Sequence, residues 1–277
     1  MRELKVALLQ TSAGTDMDRN LDEAERLVEV AAAGGASLVL APENFHMRIP
    51  AGEGHLRLAR AEADGGPFMQ RFGALAKRLG IYLLAGSYNQ KASVPGKMRN
   101  TSLFFGPDGD VIAKYDKIHM FDVEIDGHVK AQESALVEPG TRVVVADTSF
   151  GRVGLTICYD LRFPELYRSL ALKGATMAFV PANFTLFTGK DHWEPLLRAR
   201  AIENGMYVLA PGQIGGVPGA FVSYGRSMVV DPWGTVVACA SDGQQVLHAT
   251  IDLDLVDAVR SRIPSLRHRR PELYELG

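Results

Sequence analysis

Apolar residues near the start of the chain fall into two alternating patterns. The segments Leu4–Gln10 and Ser37–Ala41 are mostly continuous apolar runs of strand length, which is typical of strands buried within a sheet. Between them, apolar positions over 21–31 recur every three to four residues, as in an amphipathic helix. We expect Asp18 or Asn20 to cap this helix by accepting hydrogen bonds from its first N–H groups. The pattern predicts a strand–helix–strand unit.

The rest of the chain continues this alternation and adds two hairpins. The pattern predicts helices over 67–79, 164–173, 191–204 and 253–262, and strands over 81–87, 153–157, 176–181 and 206–210. Turn residues predict one hairpin joining 101–105 to 111–114 and a second joining 228–231 to 236–240. A further strand over 246–251 is predicted to pair with the second hairpin. The segment 116–141 is predicted to be irregular. These elements predict an α/β fold of two mixed sheets packed face to face with helices outside, in one domain over 1–277.

The overall charge argues against some kinds of partner. The 277 residues include 30 basic and 32 acidic side chains, giving a formal net charge of −2. A chain so balanced has no global field to attract nucleic acid or an anionic membrane, and the basic segment Arg267–Arg270 is a small patch. No apolar stretch reaches the roughly 18 residues of a membrane span. Two cysteines are too few for a disulfide framework, so we expect a cytoplasmic protein.

The sharpest local signal for chemistry is a cysteine at the end of a predicted strand. Cys158 follows the apolar run 153–157, and Pro164 opens a helix soon afterwards. In open α/β sheets, ligands bind beyond the carboxyl ends of strands, where backbone N–H groups favour a thiolate and can donate to an oxyanion. The alternative is a small buried hydrophobic residue, which is the commoner role of a single cysteine at a strand end.

Two charged residues lie where they could serve such a cysteine. Glu43 follows the strand 37–41, so its carboxylate is expected at the carboxyl edge of a sheet, where partial burial suits proton transfer. Lys117 opens the irregular segment. Each residue alone is weak evidence, because most glutamates and lysines are solvated surface groups. The seven histidines lack metal-ligand spacing, so no metal site is predicted.

Three segments together resemble the nitrilase superfamily of carbon–nitrogen hydrolases. They are Leu40-Ala-Pro-Glu43, Tyr115-Asp-Lys117-Ile-His119 and Gly154-Leu-Thr-Ile-Cys158-Tyr-Asp-Leu-Arg-Phe-Pro-Glu165. Their order and spacing are similar to those of the family's glutamate–lysine–cysteine triad, and the likeness covers nearly the whole chain. The residues after Cys158, together with Ser227-Met-Val-Val-Asp-Pro-Trp-Gly234, resemble the amidase-like branch that includes deaminated glutathione amidase and omega-amidase.

The resemblance implies a role for each matched residue. Glu43 is implied as the general base, Lys117 as the oxyanion stabiliser and Cys158 as the nucleophile. Glu133 matches the region of the family's second glutamate, and the backbone N–H of Tyr159 is implied as another oxyanion donor. The resemblance further implies hydrolysis of a small linear amide through a thioester with release of ammonia, no metal or organic cofactor, and an α-β-β-α protomer that forms a homodimer.

The residues that bind the substrate are less sharply indicated. The resemblance implies an amide that carries a carboxylate, such as deaminated glutathione or an α-keto acid amide. The candidate contacts are Asn183, Phe184, His192 and Trp193, with Lys190, Arg198 or Arg200 for the carboxylate. Arg226, where this branch commonly has histidine, and the glycine-rich segment 212–219 depart from the pattern and leave the exact substrate open.

Two other functions stay open at this point. One is an N-carbamoyl hydrolase or a nitrilase of the same superfamily, which carbon dioxide release or turnover of a nitrile would reveal. The other is a catalytically inactive binding protein with this fold, although all four expected catalytic residues are present. Faster labelling of Cys158 than of Cys239 by iodoacetamide would favour the enzyme. Each hydrolase function requires Glu43, Lys117 and Cys158 to meet in one pocket.

Overall fold

A computed structural model describes residues 2–50 and 52–273 of the chain. The strands and helices in chain order are β1 (Glu3–Gln10), α1 (Met17–Ala33), β2 (Leu38–Leu40), α2 (Gly54–Ala59), α3 (Pro67–Leu79), β3 (Tyr82–Leu84), β4 (Tyr88–Lys91), β5 (Met98–Phe105), β6 (Val111–Asp116), β7 (Asp122–Ile125), β8 (Val129–Gln132), β9 (Val145–Thr148), β10 (Gly151–Leu155), α4 (Pro164–Leu172), β11 (Met177–Phe179), α5 (Leu186–Asn204), β12 (Tyr207–Ala210), β13 (Ile214–Gly215), β14 (Ser223–Tyr224), β15 (Met228–Val230), β16 (Val236–Cys239), β17 (Gln245–Asp252) and α6 (Leu255–Arg262). Short 3₁₀ helices cover Glu133–Ala135, Cys158–Arg162 and Pro271–Leu273.

Two mixed sheets hold most of these strands. The first has the order β17-β1-β2-β3-β5-β4, with β6 also paired to β5, and the second has the order β16-β15-β12-β11-β10-β9. Three neighbouring strands are parallel in each sheet, namely β1, β2 and β3 in the first and β10, β11 and β12 in the second. Helices connect these parallel strands, so in each sheet the carboxyl ends of three strands lie at one edge.

The sheets pack face to face over one apolar core, with helices on both outer faces. Leu8 and Leu40 of the first sheet share this core with Leu155 and Phe179 of the second, and all four side chains are fully buried. Helices α1 and α3 cover the outer face of the first sheet, and α4 and α5 cover the second. Each such side chain contributes roughly 1.5–3 kcal/mol on burial. The predicted α-β-β-α sandwich is confirmed.

Several predicted boundaries differ from the structure. Asp16 caps α1 by accepting from the Arg19 N–H, so the predicted caps Asp18 and Asn20 were wrong. Helix α5 begins at Leu186, earlier than predicted, because Thr185 caps it and Pro195 is tolerated inside it. The segment 116–141 is not wholly irregular, since it contains the β7–β8 hairpin.

The strand 246–251 was predicted beside the second hairpin. The structure instead pairs β17 with β1, antiparallel, over the full length of both strands. This pairing joins the first strand to the last, and a local sequence pattern cannot specify such a distant contact. No helix in the described ranges is long and apolar enough to cross a membrane.

Candidate active site

The four residues predicted to be catalytic border one cavity of about 540 Å³. Glu43 follows β2, Cys158 follows β10, and Lys117 follows β6 at the side of the first sheet. Glu133 opens the 3₁₀ helix after β8. The carboxyl edges of the two sheets therefore bring together residues that are far apart along the chain.

The carboxylate of Glu43 is held on both of its oxygens. Its Oε1 accepts from Lys117 Nζ at 3.0 Å and from Asn100 Nδ2 at 2.9 Å, and its Oε2 accepts from the Asn183 N–H at 2.9 Å. Gly86, whose φ is +41°, lets the neighbouring chain approach closely, since an added Cβ would lie 2.0 Å from the Pro42 carbonyl oxygen. The position of Glu43 thus depends on both sheets and on this glycine.

Lys117 is a buried ammonium between two carboxylates. Only 2% of its side chain is exposed, and Nζ donates to Glu43 Oε1 at 3.0 Å and to Glu133 Oε2 at 2.8 Å. Burial works against the charge, but the attraction of Glu133 and then of Glu43 outweighs it and raises the pKa of Lys117 above its ordinary value. An ammonium has three N–H donors, so one remains after these two bonds.

Glu133 is fixed by three donors. Its Oε2 accepts from Lys117 Nζ and also from the Phe121 N–H at 2.8 Å, and its Oε1 accepts from Asn100 Nδ2 at 3.2 Å. Burial by itself would raise the pKa of Glu133, but the charge and hydrogen bond of Lys117 hold it below the ordinary value. Asn100 therefore bridges the two glutamates, and its own position is fixed within β5.

Cys158 occupies a strained turn between β10 and the following 3₁₀ helix. Its φ is +47°, a conformation uncommon outside glycine, and its N–H donates to the Pro181 carbonyl at 3.0 Å. The thiol lies against the Glu43 carboxylate. Burial and the charge of Glu43 raise the pKa of Cys158 well above its ordinary value, although Lys117 opposes them. The resting group is therefore a thiol.

This protonation state changes one expectation from the sequence. Cys239 is exposed, and burial raises its pKa too, but it remains accessible to a reagent. The population of thiolate alone consequently gives no reason for iodoacetamide to label Cys158 first. Preference for Cys158 would require the cavity to bind the reagent or to remove the proton.

The backbone N–H of Tyr159 is free to face a ligand. No backbone or side-chain acceptor within residues 2–50 or 52–273 is bonded to it, whereas the N–H of Cys158 and of Asp160 both have carbonyl partners. Tyr159 also borders the cavity. This N–H and the remaining donor of Lys117 are two uncommitted donors beside the Cys158 thiol.

The structure separates the candidate substrate contacts into two groups. Asn183 and Phe184 border the cavity. His192 is exposed, and Trp193 is fully buried with its Nε1 donating to the Arg226 carbonyl, so both lie outside the cavity lining. Trp193 supports Phe184 from behind, with their ring centroids 5.1 Å apart.

The candidates for a substrate carboxylate also lie away from the cavity. Arg198 donates to the Gly234 carbonyl on the outside of α5. Arg200 is buried and donates to the Leu161 carbonyl and to Glu203. Lys190 lies over the ring of Phe187, and neither residue lines the cavity. None of the three cations borders the cavity around Cys158.

Sequence reasoning missed two half-buried cations that border the cavity, Arg57 and Arg162; Lys130 borders it too but is exposed and pairs with Glu124. Arg57 donates to the side-chain oxygens of Asn44 and Asn89, each at 2.7 Å, and faces the two glutamates through space. Arg162 lies over the rings of Tyr159 and Phe184. Arg162 lies within the motif that contains Cys158, which was a signal that could have been used, whereas nothing local distinguishes Arg57.

The departures from the branch pattern affect the site unequally. Arg226 pairs with Asp242 at 3.0 Å and does not border the cavity. Gly219, at the end of the glycine-rich segment, and Phe221 just after it do border it. In the described part of the chain, no cluster of three or more His, Cys, Asp or Glu side chains could hold a metal ion.

Comparison with known proteins identifies the family. Residues 5–261 match the model of the carbon–nitrogen hydrolase family. The chain is 41% identical to deaminated glutathione amidase of Synechocystis, over 97% of this chain and 99% of that protein. It is 37% identical to an omega-amidase of Xenopus tropicalis, over 100% of this chain and 98% of that protein. The chain therefore belongs to the carbon–nitrogen hydrolase family and is an enzyme.

Solved structures agree with this assignment. Saccharomyces cerevisiae Nit3, a member of the nitrilase superfamily, is 31% identical with a TM-score of 0.86, over 99% of this chain and 97% of that one. An amidase from Nesterenkonia is 26% identical with a TM-score of 0.81, over 98% of this chain and 95% of that one. That structure is of a glutamate-to-glutamine mutant whose active-site cysteine carries the acetamide moiety of fluoroacetamide. The predicted resemblance to the nitrilase superfamily is confirmed.

The buried charges predict how Lys117→Met changes stability. Removing the ammonium leaves two buried carboxylates without their shared cation, so we expect the free energy of unfolding at pH 7 to fall by about 3–5 kcal/mol. Urea denaturation of both proteins measures this difference. A loss below 1 kcal/mol, a level roughly typical of exposed ion pairs, would contradict the buried arrangement.

The same variant should show a changed dependence on pH. In the native protein the pKa of Glu133 lies below its ordinary 4.5, so this stabilisation is present above pH 4.5 and is lost as the pH falls through the lowered pKa. In Lys117→Met, the Glu43 and Glu133 carboxylates repel each other, which raises the pKa at which the second of them ionises. The variant therefore loses stability as the pH rises towards that pKa. The difference in stability should therefore narrow as the pH is lowered from 7 to 5.

Proposed function

We propose that the protein is an amidase that hydrolyses small linear amides through a thioester on Cys158. One observation carries this proposal: the Lys117 ammonium, with one donor uncommitted, shares a cavity with the Cys158 thiol and the free N–H of Tyr159. Two of the similar proteins are named deaminated glutathione amidase and omega-amidase. Glu43 lies against the same thiol and supplies the base that a nucleophile and two oxyanion donors still need.

The first half of the reaction forms the thioester. Because the resting thiol is protonated, Glu43 accepts its proton as Cys158 Sγ attacks the amide carbonyl carbon. The negative charge that develops on the carbonyl oxygen is stabilised by Lys117 Nζ and the Tyr159 N–H. Removing one such donor typically costs about 10²–10³ in rate. Glu43 then returns its proton to the nitrogen as the C–N bond breaks and ammonia leaves.

The second half returns the enzyme to its starting state. A water molecule gives a proton to Glu43 and attacks the thioester, and the same two donors stabilise the second oxyanion. The C–S bond then breaks, and the proton on Glu43 returns to sulfur. Glu133 and Asn100 take no proton in this scheme. Glu133 holds Lys117 in place by accepting a hydrogen bond from its ammonium, and Asn100 holds Glu43 and Glu133 by donating to both.

Arg162 is the best candidate for binding a substrate carboxylate. It is half-buried at the cavity, lies 5.2 Å from the Phe184 ring centroid, and has no carboxylate partner among residues 2–50 and 52–273. An uncompensated guanidinium beside the reacting groups favours an anionic ligand. The implied substrate is an amide with a carboxylate at the other end, as in deaminated glutathione or an α-keto acid amide.

Two substitutions separate the nucleophile from the proton shuttle. We expect Cys158→Ala to fold and to lose amide turnover, since no thioester can form. Glu43→Gln should also lose turnover, because an amide cannot transfer the proton. Fluoroacetamide should still alkylate Cys158 in Glu43→Gln, because removing the Glu43 charge lowers the pKa of the thiol while Lys117 remains.

Ammonia release and intact-protein mass spectrometry after fluoroacetamide treatment measure these two properties. Cys158→Ala is the blank for alkylation, since its remaining cysteine, Cys239, lies outside the cavity. Turnover within about tenfold of wild type in Cys158→Ala would overturn the proposed function.

Arg162→Met tests the carboxylate contact. The loss of a hydrogen bond to a charged group costs roughly 1.5–3 kcal/mol, so KM for an α-keto acid amide should rise about 10- to 100-fold. KM for an uncharged amide of similar size should change little. Arg198→Met is the matched control and should leave both KM values unchanged, because Arg198 lies outside the cavity. Equal effects of both variants would rule out this role for Arg162.

We further propose that the protein is a homodimer, as the family resemblance implies. Ile202, Trp233 and Ile263 are more than half exposed around a second cavity of about 520 Å³. Such an apolar patch suits a protein interface.

Light scattering should give twice the chain mass of 30.1 kDa. Trp233→Glu should lower the mass to that of one chain and Val94→Glu, at another exposed position, should not; a single-chain mass for the wild type would end the proposal.

We also propose a cytoplasmic location and a single domain. Cys158 and Cys239 are both free thiols, which supports a reducing compartment, and we propose the cytoplasm. The first sheet contributes to both large apolar clusters, which supports the proposal of one domain.

A further inference from the structure

The carboxylate of Asp160 is fully buried, two residues after Cys158, and accepts four hydrogen bonds. Its Oδ2 accepts from the Tyr115 hydroxyl at 2.6 Å and from the Ile157 N–H at 2.8 Å. Its Oδ1 accepts from the His119 N–H at 3.1 Å and lies 2.7 Å from His119 Nδ1. Burying a carboxylate costs free energy of desolvation, and hydrogen bonds must offset that cost. All four bonds form only when the donor groups keep these positions.

The four donors come from two separate parts of the chain. Ile157 directly precedes Cys158, and the N–H of Asp160 donates back to the Ile157 carbonyl, which closes the turn around the thiol. Tyr115 and His119 lie two residues before and two residues after Lys117. One carboxylate therefore ties the turn of Cys158 to both sides of Lys117.

We propose that Asp160 is a positioning residue that sets the distance between the Cys158 thiol and the Lys117 ammonium. This inference rests on the proposed function, in which these two groups act on one carbonyl. Asp160 itself does not line the cavity. It acts through the backbone of both segments. A second contact supports the same link, because the His119 ring stacks on Phe163 with centroids 3.6 Å apart.

A carboxylate is required here because every group around it donates. An asparagine would place an NH2 group against either the Ile157 N–H or the His119 N–H, so that two donors would face each other. One of the two segments would have to move. A misplacement of about 1 Å in a catalytic group can cost about 10²-fold in rate. We therefore expect Asp160→Asn to lower kcat by about 10²-fold with KM changed less than threefold, since Arg162 and Phe184 still bind the substrate.

Two tyrosines provide a matched pair of milder variants. Tyr115→Phe removes one of the four bonds and the link to the Lys117 segment. Tyr167→Phe removes an equally buried hydroxyl that bonds Thr156 and has no link to Lys117. We expect Tyr115→Phe to lower kcat about tenfold with KM unchanged, and Tyr167→Phe to leave kcat within twofold. Steady-state kinetics on the full chain and thermal unfolding would be measured for all three variants.

Several results would overturn the inference. The inference fails if Asp160→Asn folds and its kcat is within threefold of wild type. It also fails if the activity of Asp160→Asn falls only in proportion to the amount of folded protein. Should Asp160→Asn fail to fold, equal kcat values for Tyr115→Phe and Tyr167→Phe would count against it. Cys158→Ala distinguishes failure of the proposed function from failure of the role of Asp160. If Cys158→Ala is active, the proposed function fails. If Cys158→Ala is inactive while Asp160→Asn is fully active, only the role of Asp160 fails.

Discussion

A lysine with 2% of its side chain exposed must be paired with carboxylates, and the arrangement around Lys117 follows from that requirement. Two glutamates from different parts of the chain supply the charge, and Asn100 ties them to each other. Because two of the three ammonium donors are occupied, the direction of the third is fixed by the protein. In the proposed mechanism, this third donor is therefore in place to stabilise the oxyanion before any substrate arrives.

The α-β-β-α sandwich makes such pairing possible. Each sheet places the ends of three parallel strands at one edge, and the packing of the two sheets brings Glu43 of one beside Cys158 of the other. Asp160 adds a polar link across the same junction, between the turn of Cys158 and the segment of Lys117.

The protonated resting state of Cys158 determines what the other groups must do. With Glu43 and Glu133 balanced by Lys117 and Arg57, a thiolate would add an unbalanced buried charge. The proton is therefore removed during attack rather than beforehand, which requires a base in contact with sulfur. Glu43 lies against the thiol, so in the proposed mechanism it is that base, and the same carboxylate later returns the proton to the leaving nitrogen.

The sequence by itself determined the local elements and the identity of the principal groups. Apolar periodicity predicted the strands and helices, and the family motif singled out Glu43, Lys117 and Cys158, because both signals are local in the chain. Only the tertiary structure decided that β17 pairs with β1, that Arg162 rather than Arg198 borders the cavity, and that Asn100 and Asp160 join the site. Those features depend on contacts between residues distant in sequence, and no periodicity along the chain records such contacts.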